Sequence, residues 1–323
     1  MIVLHYHNPI RTKDNLTLSI DNVVLDFYIS RPDARDRLML LLDHLPIKYA
    51  VDVVYWTSLR IGSFRDQFSI KLQDGNSFWF AIVLNGKKPE WGRCRLDWNP
   101  NKVGHHEVFV KLLDFLISNT RLMHRTIKRF DLAVDVPVTR YSCFLVKDGR
   151  AYIERRHGQE WTQYLGAKSS TVGRVKLYNK QVESKLSHPL TRLEITLDPS
   201  TPYNEVNFPT VYFLDDLQMC FSEMKATDTE RFILNALLQG AGSLNDLGRK
   251  TRAKIETLMR LYVKYIEITP QDYAAIQSQL RAYTNGTVQF DATDPDQPPP
   301  KKIDYPDWVA EAEAADDDDR LPL

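Results

Sequence analysis

Between Lys128 and Leu197 the chain carries acidic, basic and phenolic side chains at alternate positions of strand-like segments. In Phe130–Val136 a period of two puts Asp131, Ala133 and Asp135 on one face and Leu132, Val134 and Val136 on the other. Carboxylate oxygens are what a hard divalent cation takes. Four residues of extended chain hold the two aspartate Cα atoms about 13 Å apart, so only a bulge, inward-leaning side chains or the ion itself unites them. A solvated face salt-bridged to Lys128 and Arg129 accounts for the same residues without an ion. In Thr191–Leu197 the residues Arg192, Glu194 and Thr196 share a face, and Glu194 joins an aspartate if the two strands are neighbours. Arg174–Lys180 sets Lys176, Tyr178 and Lys180 on one face. Flanking lysines favour a phenolate, and tyrosine is among the side chains that act as covalent nucleophiles. With a metal polarising a phosphate, such a residue forms a phosphotyrosyl bond. An edge tyrosine between two snorkelling lysines is the plain structural alternative.

Other motifs carry less. Gly166-Ala167-Lys168-Ser169-Ser170 suits a phosphate-contacting loop through Lys168 and backbone N–H groups, or an ordinary hairpin loop; GxxxxGK[ST] spacing is absent. His105-His106 opens a predicted helix, His105–Ser118, on which adjacent rings point about 100° apart and converge poorly on one ion. HExxH, GxSxG and GxGxxG are absent, which removes support for metalloprotease, serine hydrolase and dinucleotide-binding readings. Asn245–Tyr265 is a predicted helix with Arg249, Lys250, Arg252 and Lys254 clustered in its first turns and an apolar stripe of Ile255, Leu258, Met259 and Tyr262. Preceded by a helix at Thr229–Gln239 and a Gly240-Ala241-Gly242 break, it suits a helix–turn–helix that binds nucleic acid, or simply a solvated charged face.

The elements that must position these residues read as α+β. Residues 1–120 form a mixed half: a β-rich Asn15–Ser30, a helix in Pro32–Leu45, two strands about Asp74-Gly75-Asn76, and a strand Arg93–Trp98. Residues 121–203 form a β-rich catalytic half in an antiparallel or mixed sheet, with Tyr141–Val146 and Arg150–Arg155 flanking a turn at Asp148-Gly149. A faint echo of element order suggests two related halves. Residues 204–288 form a helical DNA-binding segment, and residues 289–323, rich in Asp and Pro, a disordered acidic tail.

The chain is 323 residues long and its 42 basic and 42 acidic residues cancel. That balance hides a split, since residues from Asp291 onward carry 11 acids against 3 bases and the remainder carries the opposite excess. A basic body seeks a polyanion. Cys94, Cys143 and Cys220 are odd in number and widely spaced, against a disulfide scaffold or zinc ribbon and in keeping with a reducing cytoplasm. No apolar run reaches a membrane span, and the N-terminus lacks a signal-peptide pattern.

RFDLAVD (Arg129–Asp135), QYLGAKSS (Gln163–Ser170), RVKLYNK (Arg174–Lys180) and TRLEITL (Thr191–Leu197) together resemble the replication initiation factor (Rep_trans) family of rolling-circle plasmid and phage initiators and related relaxases. LDWNPNK (Leu96–Lys102) and LNDLGRKTRAKI (Leu244–Ile255) resemble it too. The resemblance is specific over Lys128–Leu197 and extends over Leu16–Tyr265. It implies a metal-dependent DNA nickase whose tyrosine attacks a phosphodiester, frees a 3′-OH and stays joined to the 5′ end. Carried over by position, Tyr178 is the nucleophile; Asp131, Asp135 and Glu194 hold Mg²⁺ or Mn²⁺; Lys180, Lys176 and Arg192 neutralise phosphate charge; Arg174 and Lys168 position the strand. The resemblance also implies a homodimer acting on a double-strand origin and a single-stranded nick site, working with a host helicase. Asn179 stands where the family more often has an acid, and Tyr164 is a second candidate nucleophile.

A relaxase of an integrative or conjugative element shares this chemistry. A non-catalytic DNA-binding repressor and an RNA-binding protein are the readings from other classes. The charge split yields a first prediction. Deleting Asp291–Leu323 should raise non-specific DNA affinity at low salt, measured by fluorescence anisotropy across a salt series; unchanged affinity would make the tail a plain solubilising end.

Overall fold

The computed structural model describes residues 9–12, 15–29, 34–49, 51–55, 66–85, 88–121, 124–167, 172–223 and 225–285. Lys168 with the rest of its Ser-rich loop, and the acidic tail, lie outside them. The first half runs β1 (Ile10–Arg11), β2 (Thr17–Ile29), α1 (Ala34–Tyr49), β3 (Asp52–Tyr55), β4 (Asp66–Lys71), β5 (Ser77–Asn85) and β6 (Lys88–Trp98). Then follow α2 (Pro100–Val103), α3 (Glu107–Ser118), β7 (Arg125–Val136), β8 (Cys143–Leu145), β9 (Tyr152–His157), β10 (Glu160–Leu165), β11 (Val175–Asn179), α4 (Lys180–Glu183) and β12 (Thr191–Leu197). The last described elements are β13 (Val211–Phe213), α5 (Leu217–Glu223), α6 (Asp228–Leu238), α7 (Arg249–Tyr262), β14 (Lys264–Tyr265) and α8 (Pro270–Asn285).

The fold is α+β around one antiparallel sheet of order β3-β4-β5-β6-β2-β7-β12-β11-β10-β9, with β1 paired on β2. The sheet passes through both halves without a break, because β2 of the first pairs with β7 of the second. Alternation sends Leu132, Val134, Val136, Leu193, Ile195, Leu197, Val175 and Leu177 into the main core, where leucines of α1, the apolar residues of α3 and the inner side of α8 also pack. The opposite face carries Asp131, Asp135, Arg192, Glu194, Lys176 and Tyr178, as the period of two requires.

Local chemistry sets the element ends. Asn99 accepts hydrogen bonds from the N–H groups of Asn101 and Lys102 and caps α2, with Pro100 in the first turn. Thr227 and Glu230 form a reciprocal capping box on α6. The helix expected from His105 starts at Glu107, since His106 has extended backbone and serves as the N-cap. The two histidines therefore lie in the approach to α3, and the helical spacing that set their rings apart does not apply.

The turn at Asp148-Gly149 does not close a hairpin. β8 leaves the main sheet and pairs with β13, which pairs with β14, in a separate three-stranded sheet. Cys143, Leu145, Val211 and Phe213 face the main core, while Phe144 faces a second core with Leu214, Cys220, Phe221, Leu234, Leu238, Ile255 and Leu258. Residues 204–288 thus divide: α5, α6 and α7 build the second core, and α8 returns to the main one through Tyr273, Ile276, Leu280 and Tyr283. The Tyr283 ring meets Trp98 edge-on at 5.2 Å. Among the described residues no helix is long and apolar enough to cross a membrane.

On the polar face the fully buried Asp26 of β2 joins Arg95 and Arg93 of β6, with Arg95 Nε at 2.6 Å and Arg93 Nη2 at 2.9 Å. Replacing a buried ion-pair partner costs about 3–5 kcal/mol. The two arginines keep partial access to water, which puts Asp26→Ala near the lower end, about 3 kcal/mol. Urea unfolding of the variant should show this as a lower midpoint with unchanged slope.

Candidate active site

Three strands set the centre of the polar face. Tyr178 pairs across β11–β12 with Arg192, and Lys176 with Glu194. Arg192 pairs across β12–β7 with Asp135, and Thr196 with Asp131. The Tyr178 hydroxyl donates to Glu194 Oε1 at 2.5 Å. Lys176 Nζ lies 3.3 Å from the other oxygen of Glu194 and 3.8 Å from the centre of the Tyr178 ring. Lys180 begins α4 rather than ending the strand; its Nζ is 5.8 Å from the ring centre and paired with Glu183. Asn179 caps α4, its side-chain oxygen accepting from the Val182 N–H, and its amide donates to Gln159 O. An amide does both and a carboxylate cannot, which accounts for the residue at that position.

The expectation of a stabilised phenolate reverses. Tyr178 is 4 % exposed, and its pKa is raised well above the ordinary phenol value, first by burial and then by the charge and hydrogen bond of Glu194. Glu194 is itself raised, chiefly by burial, with Asp21 and Asp131 adding to the effect and Lys176 opposing it. The site therefore stores a neutral phenol against a basic carboxylate.

Asp135 has a different partner from the one its spacing suggested. Both its oxygens accept from Arg192, at 2.6 and 2.7 Å, and Arg192 Nη1 bonds Asp21 at 2.6 Å. Asp131 has a buried Oδ1 with no hydrogen-bond partner. Burial raises its pKa, and the nearby Asp21 and Asp97 carboxylates raise it further. An orphaned buried oxygen among carboxylates fits a hard divalent cation in charge and donor chemistry. Among the described residues no three of these acids bring ligand atoms within 4.8 Å of one another, so bound metal would draw them closer.

Asp21 and Asp97 were not found by pattern. Asp21 is the extra residue of a β-bulge in β2, where Ile20 pairs Leu132 and Asn22 pairs Asp131. Asn22 donates to Asp97 at 2.8 Å, and Asn101 donates to the carbonyl of Ile20 at 2.9 Å. LDWNPNK thus supports the bulge, which is the signal that motif held.

Tyr164 lies on the same face, paired with Lys176, and its ring carries Arg174 at 5.1 Å. Gly166 has φ +90, which an L side chain rarely adopts, so the glycine of QYLG is required by the backbone. Arg249, Lys250 and Arg252 are exposed along the start of α7, while Lys254 pairs with Glu230 at 2.7 Å and Arg252 with Glu256 at 2.8 Å.

No family model matches the sequence, and no curated protein matches it. Among solved structures, the rolling circle replication initiator protein from Geobacillus stearothermophilus aligns over 86 % of this chain and 98 % of its own, at 14 % identity and a TM-score of 0.35.

Asp131 and Glu194 hold protons more tightly folded than unfolded. The stability tied to their protonated forms is present below the ordinary carboxylate range and is lost as pH rises through the raised values. Asp131→Asn should therefore raise the melting temperature of the cation-free protein near neutral pH, with the gain vanishing on acidification. Added Mg²⁺ should raise the melting temperature of wild type and not of Asp131→Asn. A variant less stable than wild type at neutral pH would contradict this account.

Proposed function

We propose that this chain is a site-specific DNA nicking–joining initiator of rolling-circle replication. The observation that carries the reading is the Tyr178–Glu194 hydrogen bond, flanked by Lys176 and Lys180 on the face that also bears Asp131. The motif resemblance around these residues supplies the substrate class. A phenol held neutral attacks only if its proton leaves as the new bond forms, and Glu194 is placed to accept it. The Tyr178 oxygen then bonds to phosphorus, the bond from phosphorus to the 3′ oxygen breaks, and that oxygen takes a proton from water. The products are a 5′-phosphotyrosyl adduct and a free 3′-OH; attack of a 3′-OH on the adduct reverses the step and joins the strand.

Lys176 covers the tyrosine and offers its charge to an incoming phosphate, in exchange for its contact with Glu194. Arg192, occupied by Asp135 and Asp21, acts as a positioning residue. A Mg²⁺ or Mn²⁺ ion held by Asp131, with Glu194 and Asp21 beside it, would offset negative charge on the phosphate. Arg249, Lys250 and Arg252 give salt-sensitive contacts to the DNA backbone.

The test is nicking of supercoiled DNA carrying the gene and its flanks, with Mg²⁺, Mn²⁺ or chelator. Wild type should nick only with cation and leave a covalent 5′ adduct. Tyr178→Phe should abolish both, Tyr164→Phe should retain them, and Glu194→Gln should slow nicking by about 10²–10⁴-fold. Loss in Tyr164→Phe alone would move the nucleophile. DNA binding without nicking on any substrate would make the protein a repressor, and preference for RNA would overturn the DNA reading.

A further inference from the structure

A second cluster of ligating side chains stands apart from Tyr178 and its acids. Asp74, in the turn between β4 and β5, meets His105 and His106, in the approach to α3. One donor atom from each of the three lies within 4.8 Å of the other two. His106 makes no side-chain capping bond to its own helix; its Nε2 contacts Asp74 Oδ2 at 2.8 Å. The His105 and His106 rings are 4.3 Å apart, centre to centre. The carboxylate is oriented from behind: Asp74 Oδ1 accepts from the Asn76 N–H at 2.9 Å, and Oδ2 from the Asn76 amide at 2.7 Å. Support of this kind, a hydrogen bond fixing the ligand's direction, is what surrounds the ligands of metal sites.

We propose that Asp74, His105 and His106 form a surface site for a divalent transition cation, with Zn²⁺ the preferred occupant. Two imidazoles and one carboxylate are the donors of zinc sites, whereas Mg²⁺ and Ca²⁺ take oxygen. Bonds of about 2.0–2.1 Å in a tetrahedron put donor atoms about 3.3 Å apart, so the ion draws the three inward and replaces the His106–Asp74 hydrogen bond. His105 and Asp74 are exposed and His106 is partly exposed, so their side chains have room for that adjustment. The fourth position is left to water. The ion would tie the tip of the β4–β5 hairpin to the start of α3, two points brought together only by the fold. The imidazole-rich site and the carboxylate site near Tyr178 would select different metals in one chain.

Calorimetric titration of the full chain with ZnCl₂, after chelator treatment and in excess Mg²⁺, tests this. Wild type should bind one Zn²⁺ and melt at a higher temperature with it. His105→Asn and Asp74→Asn should each weaken that binding at least tenfold while the zinc-free melting temperature stays near that of wild type. His157→Asn, on exposed β9, should bind as wild type does. Equal zinc binding by wild type and His105→Asn, or loss confined to His157→Asn, would overturn the proposal, as would no binding by wild type. If Asp74→Asn disturbs its turn, His105→Asn alone decides.

Discussion

One guanidinium holds three neighbouring strands in register. Arg192 belongs to β12, takes both oxygens of Asp135 on β7, and reaches over to Asp21 at the bulge of β2. A one-residue slip of β12 would turn Arg192 and Glu194 into the core and bring Leu193 and Ile195 out, so register and site are fixed together. Two carboxylates satisfy one buried guanidinium with several charge-assisted bonds, the arrangement in which desolvation of such groups is best offset. With that register set, Tyr178 stands opposite Arg192 and beside Glu194 without help from any loop.

The acids and bases of this face have separable tasks. Asp135 and Asp26 neutralise arginines and hold strands together. Burial resists ionisation of Asp131, Asp97 and Glu194, and neighbouring carboxylates add to it at Asp131 and Glu194, an unfavourable energy that a bound cation would relieve. Under the proposed function a DNA strand would bring further negative charge to the same place. On that proposal the cation would reduce the repulsion between the strand and the carboxylates, and the strand's negative charge would in turn favour the cation.

Much of this was legible in the sequence because it is periodic. Alternation in Phe130–Val136, Arg174–Lys180 and Thr191–Leu197 gives the observed face for Asp131, Asp135, Lys176, Tyr178, Arg192 and Glu194, while Lys180 reaches the Tyr178 ring from the start of α4. The α+β class and the main helices follow from the same patterns. What periodicity cannot supply is pairing across distance. Asp21 breaks the alternation of its own strand and meets Arg192 only through the fold. The Tyr178 shift comes first from burial and then from the Glu194 carboxylate that accepts its hydroxyl hydrogen bond, and no spacing reveals either. β8, β13 and β14 are too short to show a period, and with them went the division of the helical segment. The helix predicted from His105 starts two residues later, at Glu107, and that shift of the boundary changes which groups meet.

The small sheet of β8, β13 and β14 has a thermodynamic consequence. Its alternate residues are walls of different rooms: Val211 and Phe213 line the main core, and Phe144 lines the second. A partition shared in this way cannot be removed from one side alone. Loss of the α6–α7 packing would expose the back of strands that the large sheet's own core relies on, so the two cores make one cooperative unit in unfolding although each encloses its own apolar cluster.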